Sequence, residues 1–145
     1  MAKDYAIITK SVQETQSFGA ELAKKLRSGD IVALYGYLGS GKTELVKGIC
    51  KGLGVGQSVN SPTFIIVNEY FSVQFPKIFH LDLYRLKTQD DVLNIGFYDY
   101  INEKGIVLIE WPEHIEDLLP KATIKIYLAH TDESENSRWI RLETN

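Results

Sequence analysis

Residues Gly36-Tyr-Leu-Gly-Ser-Gly41-Lys42-Thr43 place three glycines, a lysine and a hydroxyl at the spacing G-x-x-x-x-G-K-[ST]. Gly36, Gly39 and Gly41 permit positive φ and close backbone approach. Successive N–H groups along Tyr37, Leu38 and Ser40 can then turn inward onto phosphate oxygens. Lys42 supplies a cation to the β- and γ-phosphates, and the Thr43 hydroxyl supplies a ligand to Mg²⁺. A helix beginning at Lys42 would aim its positive N-terminal end at the same anion. By average composition such a match arises by chance in roughly one chain of this length in two hundred. It also sits between a buried strand and an amphipathic helix, the context that phosphate binding requires. The pattern implies a bound nucleoside triphosphate.

Such a site needs a carboxylate at the end of another strand, acting on the metal or on its waters. Ile106-Val-Leu-Ile-Glu110 is four apolar residues ending in an acid, and Ile78-Phe-His-Leu-Asp82 is a second run with His80 inside it. The uninterrupted apolar run assigns the metal to Glu110, together with Thr43, and leaves Asp82 to orient water or polarise the metal shell. Lys42, Asp82 and Glu110 are thus the candidate catalytic groups. His80 falls on the same strand face as Asp82, which predicts a structural hydrogen bond between them. Ser61-Pro-Thr63 precedes a strand and is either a γ-phosphate-sensing switch or a common turn. Trp111 is expected to pack rather than to stack on a base. Tyr84-Arg85 is equally a partner-facing or a solvated pair.

The elements that must position these residues alternate between strand and helix. Ser11-Val-Gln-Glu14 matches a capping box, and Phe18, Leu22, Ala23 and Leu26 follow at helical spacing. Ile31–Tyr35 reads as a buried strand entering the glycine loop, and Lys42–Leu53 as the helix leaving it. Phe64–Phe71 and Ile78–Leu83 read as strands, Asp90–Ile95 as a short helix, and Ile106–Ile109 as a strand buried in a parallel sheet. Pro112 opens a helix ending near Pro120. Thr123–Leu128 and Arg138–Leu142 alternate as a closing antiparallel pair around the polar loop 131–137. The prediction is a single α/β domain over residues 1–145: a mixed, mostly parallel sheet flanked by helices, with a C-terminal antiparallel strand pair.

Composition excludes several function classes. Sixteen Lys+Arg against nineteen Asp+Glu give a net charge of −3, no signature of a general nucleic-acid binder. One cysteine, Cys50, forms no internal disulfide, and three separated histidines offer no zinc spacing. No run approaches the ~20 apolar residues of a membrane span. A cytoplasmic protein with neither a membrane segment nor zinc is expected. A length of 145 residues leaves room for one site and no second substrate domain.

Gly36–Thr43, Ser61-Pro-Thr-Phe64, His80-Leu-Asp-Leu-Tyr-Arg-Leu86 and Ile109-Glu-Trp-Pro-Glu113, in this order, resemble the TsaE (YjeE) family. The resemblance extends from Thr15-x-x-x-Gly19 to the C-terminal strands. It implies an ATPase that supports threonylcarbamoyladenosine modification of tRNA with TsaB- and TsaD-like partners, tRNA being met indirectly through the complex. It further implies ATP and Mg²⁺ as cofactors, with Gly36 to Thr43 on the phosphates and Thr43 and Glu110 on the metal. Asp82 would support hydrolysis, and Ser61 and Thr63 would form a switch-like loop. Thr15, Trp111 and Arg138 would lie near the nucleotide.

The main alternative is a small-molecule kinase. Kinases clamp the moving phosphoryl group with cations, often from a lid. Arg27, Arg85, Arg138 and Arg141 are not clustered in sequence, and no lid insertion is visible. A GTPase is disfavoured by the lack of an Asn-Lys-x-Asp or Asp-x-x-Gly run. The absence of an obvious internal arginine finger predicts slow hydrolysis by the isolated chain.

Overall fold

In chain order the elements are β1 (Tyr5–Thr9), α1 (Val12–Ala23), β2 (Ile31–Tyr35), α2 (Lys42–Gly52), β3 (Val67–Tyr70), β4 (Ile78–Asp82), α3 (Gln89–Asn94), α4 (Phe97–Asn102) and β5 (Ile106–Glu110). A 3₁₀ stretch (Glu113–Leu118), β6 (Ile124–His130) and β7 (Arg138–Glu143) complete them. This is a computed structural model, and it describes residues 4–60 and 66–144. The strands form one seven-stranded sheet in the order β1-β7-β6-β2-β5-β4-β3. Its centre, β6-β2-β5-β4, is parallel. Antiparallel strands flank it: β7 and β1 on one side, β3 on the other.

The central strands are buried on both faces, which is why they read as continuous apolar runs. Ile106 and Leu108 of β5 face a core built with Phe18, Leu22, Leu45 and Ile49 from α1 and α2. Val107 and Ile109 face the opposite core, with Phe79, Leu81, Val92, Phe97 and Ile115. The alternation expected within Ile78–Leu83 is present: Ile78 joins the first core, and Phe79, Leu81 and Leu83 join the second. Cys50 is a free thiol buried in the α1–α2 core, where burial pushes its pKa up to about 12.

Helices α1 and α2 approach each other through glycine. A Cβ at Gly19 would lie 2.7 Å from the Leu45 carbonyl oxygen, and one at Gly48 would overlap the Gln16 carbonyl. This contact fixes α2, and with it the loop preceding α2.

Several elements differ from the sequence reading. β1 is a strand that its short, half-exposed pattern did not predict. Helix α4 starts at Gly96 in the left-handed region with no side-chain cap, so it carries no start signal. The stretch after Pro112 is 3₁₀, broken by non-helical angles at Ile115, rather than an α-helix. The capping box at Ser11 is half made: Ser11 accepts the Glu14 N–H, but the Glu14 carboxylate accepts from Lys10. Among the described residues no helix is long and apolar enough to cross a membrane.

Candidate functional site

β2, β4 and β5 end side by side, and Leu34, Asp82 and Glu110 occupy matching register positions there. In open α/β sheets the carboxyl ends of the strands are where ligands bind. A cavity of about 530 Å³ opens at this edge, and Leu38 to Thr43, Asp82, Glu110, Trp111 and Arg138 line it. Leu38 to Thr43 of the glycine loop, both predicted acids, and Trp111 and Arg138 therefore meet in one place, while Gly36 and Tyr37 are not among the lining residues.

The loop takes its shape from its glycines. A side chain at Gly36 would collide with the Ser40 hydroxyl and lie 2.7 Å from the Leu128 carbonyl oxygen. Gly41, at φ 101°, is the N-cap of α2 and has no side-chain cap, so the first N–H groups of α2 stay available at the cavity. The Ser40 N–H closes a turn onto the Tyr37 carbonyl at 3.0 Å, while the Ser40 hydroxyl is buried with no hydrogen-bond partner among the described residues. An orphaned polar atom in such a loop fits a site built to receive an anion. The Tyr37 and Leu38 side chains are exposed, and of the two only Leu38 is among the cavity-lining residues.

Lys42 is buried; its ammonium lies 3.3 Å from the centroid of the Trp111 ring and donates to the Gly36 carbonyl. Burial lowers its pKa, and Glu110, Glu113 and Asp82 partly oppose that shift. Trp111 sits at φ 60°, a left-handed conformation costly for a bulky residue, on the order of 1–3 kcal/mol. Strain of this kind concentrates at functional sites. Tyr84 packs on the indole at 4.8 Å between ring centroids.

The two acids have different surroundings. Glu110 is 2% exposed, and its Oε2 lies 2.6 Å from His80 Nε2. Asp82 is only half-buried, and its Oδ1 accepts the Tyr84 N–H at 3.0 Å. The sequence pairs His80 with Asp82; the bond to an acid that the structure gives it runs to Glu110, one strand over.

Arg138 enters from β7. Its Nη2 donates to the Gly39 carbonyl at 3.1 Å, and its side chain packs against Gly41. Thr15 is placed elsewhere: it is buried in α1, with its hydroxyl 2.7 Å from that of Thr9, and it is not among the cavity-lining residues. Ser61 and Thr63 lie outside the described residues. Tyr84 and Arg85, ambiguous in the sequence, line the cavity, as do Glu44 and Ile66, which no motif singled out.

The donors are suited to a hard cation. Thr43, Asp82 and Glu110 offer only oxygen ligands, as Mg²⁺ prefers. No group of three or more His, Cys, Asp or Glu residues able to hold a metal is found among the described residues. Mg²⁺ in phosphate sites commonly takes one or two carboxylates and completes its shell with waters and phosphates, so these residues fit it.

The family described as "Threonylcarbamoyl adenosine biosynthesis protein TsaE" matches residues 9–140. A TsaE protein of Bacillus subtilis is 35% identical over 127 residues, covering 88% of this chain and 78% of that protein. A TsaE protein of Nostoc is 40% identical over 124 residues, covering 83% of this chain and 75% of its own. The crystal structure of Bacillus subtilis YdiB superposes with a TM-score of 0.80 at 28% identity, covering 99% of this chain and 87% of that one. With a match over most of its length and the same α/β architecture, the chain belongs to the TsaE family.

Proposed function

We propose that this protein binds ATP with Mg²⁺ and hydrolyses it to ADP and phosphate. It would do so slowly alone and faster with TsaB- and TsaD-like partners, in support of threonylcarbamoyladenosine modification of tRNA. The observation that carries this reading is the convergence of Leu38 to Thr43, Asp82 and Glu110 on one cavity. The names of the relatives supply the pathway.

Each residue has a physical task. Gly39 and Gly41 let backbone N–H groups face the phosphates, and the start of α2 adds its dipole. Lys42 leaves the Gly36 carbonyl and the Trp111 face to meet phosphate oxygens, exchanging one set of contacts for a stronger, charge-assisted one. Thr43 and Glu110 hold Mg²⁺, which neutralises charge on the β- and γ-phosphates when bound. Asp82 orients the attacking water. Arg85 and Arg138 line the cavity, but the reading assigns neither to the transferring phosphoryl group, hence slow turnover alone. Buried, reduced Cys50 suits a cytoplasmic setting.

The test is phosphate release from ATP by the purified chain, with and without TsaB- and TsaD-like proteins. Stimulation by the pair is expected. Fast hydrolysis by the chain alone would remove partner control, and phosphoryl transfer to a metabolite would replace the reading with a kinase.

A further inference from the structure

His80 is fully buried, does not line the cavity, and bridges two parts of the molecule. On one side its Nε2 lies 2.6 Å from Glu110 Oε2. On the other its Nδ1 lies 3.5 Å from the Tyr70 hydroxyl. That hydroxyl is 3.4 Å from the Asn60 carbonyl, to which Asn68 Nδ2 also donates at 3.3 Å. A carboxylate has no proton to give, so Nε2–H donates to Glu110, while the Tyr70 hydroxyl meets the other ring nitrogen. The Tyr70 hydroxyl donates to the Asn60 carbonyl and accepts from Asn68 Nδ2 at 3.4 Å, so Tyr70 and Asn68 together hold that carbonyl.

This bridge matters because of what Glu110 would otherwise do. Glu110 and Lys42 line the same cavity, and a Glu side chain has three rotatable bonds. Left unheld, the carboxylate would turn to the ammonium, withdrawing both charges from a bound ligand. The bond to His80 commits Oε2 and leaves the second oxygen for a metal.

Resting on the function proposed above, we infer that His80 is a positioning residue. It aims Glu110 at Mg²⁺, and Tyr70 orients its ring and ties the arrangement to Asn60, the residue leading into the Ser61–Thr63 segment. Carboxylates that ligate metals are commonly held by outer hydrogen bonds, whose loss costs about 10–100-fold in metal affinity or activity.

The experiment is calorimetric titration of the full chain with ATPγS, in EDTA and in Mg²⁺, for wild type, His80→Leu, His80→Gln and Tyr70→Phe. In wild type Mg²⁺ tightens binding. In His80→Leu the tightening falls by about 10–100-fold while affinity in EDTA is kept. His80→Gln, whose amide can still donate to Glu110, keeps most of it. A wild-type Mg²⁺ effect in folded His80→Leu overturns the inference, as does a His80→Gln as impaired as His80→Leu. Should His80→Leu not fold, Tyr70→Phe decides: part of the Mg²⁺ effect is lost, and a wild-type effect overturns the inference. If wild type itself binds no ATPγS, or binds it without a Mg²⁺ effect, the proposed function falls and the inference falls with it.

Discussion

The guanidinium of Arg138 donates to the Gly39 carbonyl at 3.1 Å, joining the first residue of β7 to a loop 99 residues earlier in the chain. The same guanidinium holds its own strand end through the Glu135 and Ser137 carbonyls, at 2.7 and 2.9 Å. The C-terminal strand pair is therefore part of the glycine loop's support. Its fixed fork spans carbonyls that a single ammonium could not reach together.

Arg138→Met should weaken ATP binding roughly tenfold, since a hydrogen bond to a charged group contributes about 1.5–3 kcal/mol. Arg138→Lys should restore only part of that. Calorimetric affinities check both, and wild-type affinity in Arg138→Met would reduce the residue to a strand-end contact.

Lys42→Met should abolish triphosphate binding without lowering the melting temperature at pH 7. Burial holds the Lys42 pKa below its ordinary 10.5, so the unfolded chain binds that proton more tightly than the folded one. Charged Lys42 therefore costs stability at every pH below its folded pKa, and the cost fades as pH rises towards 10.5. The melting difference between variant and wild type should shrink over that alkaline window. A variant that melts several degrees lower at pH 7 would mean that the contacts with Trp111 and Gly36 outweigh burial.

Gly48→Ala sets two effects against each other. Helix propensity alone favours Ala by about 1 kcal/mol. The new Cβ, however, would overlap the Gln16 carbonyl, and overpacking costs about 1–3 kcal/mol or more. Net destabilisation in urea unfolding is expected; an unchanged or raised midpoint would show that α1 and α2 can separate freely.

Much of the site was legible because its chemistry demands specific residues in a short span. The motif over Gly36 to Thr43 marked the turn between β2 and α2, and apolar runs ending in Asp82 and Glu110 marked two strand ends that the sheet brings together. Relations across strands were not legible. Neither the His80–Glu110 bond nor the reach of Arg138 to Gly39 leaves a spacing in the sequence, because the partners lie 30 and 99 residues apart. The family resemblance brought Arg138 and Trp111 to the site, while Thr15 is bonded to Thr9 away from the cavity. Strands β2 and β5 showed as apolar runs because both their faces are covered, whereas β1, half-exposed at an edge, showed no such run. Helix α4 was missed for want of a capping side chain at Gly96.

In the function proposed above, Thr43 and Glu110 hold Mg²⁺ against a triphosphate seated on residues 36–43. Titrating ATP into wild type and Glu110→Gln, with Mg²⁺ and with EDTA, tests it most directly. Both proteins should bind alike in EDTA, and only wild type should tighten with Mg²⁺, by about tenfold or more, the lower end of what one lost metal-site interaction costs. Equal tightening in Glu110→Gln, or no ATP binding by wild type, would contradict it.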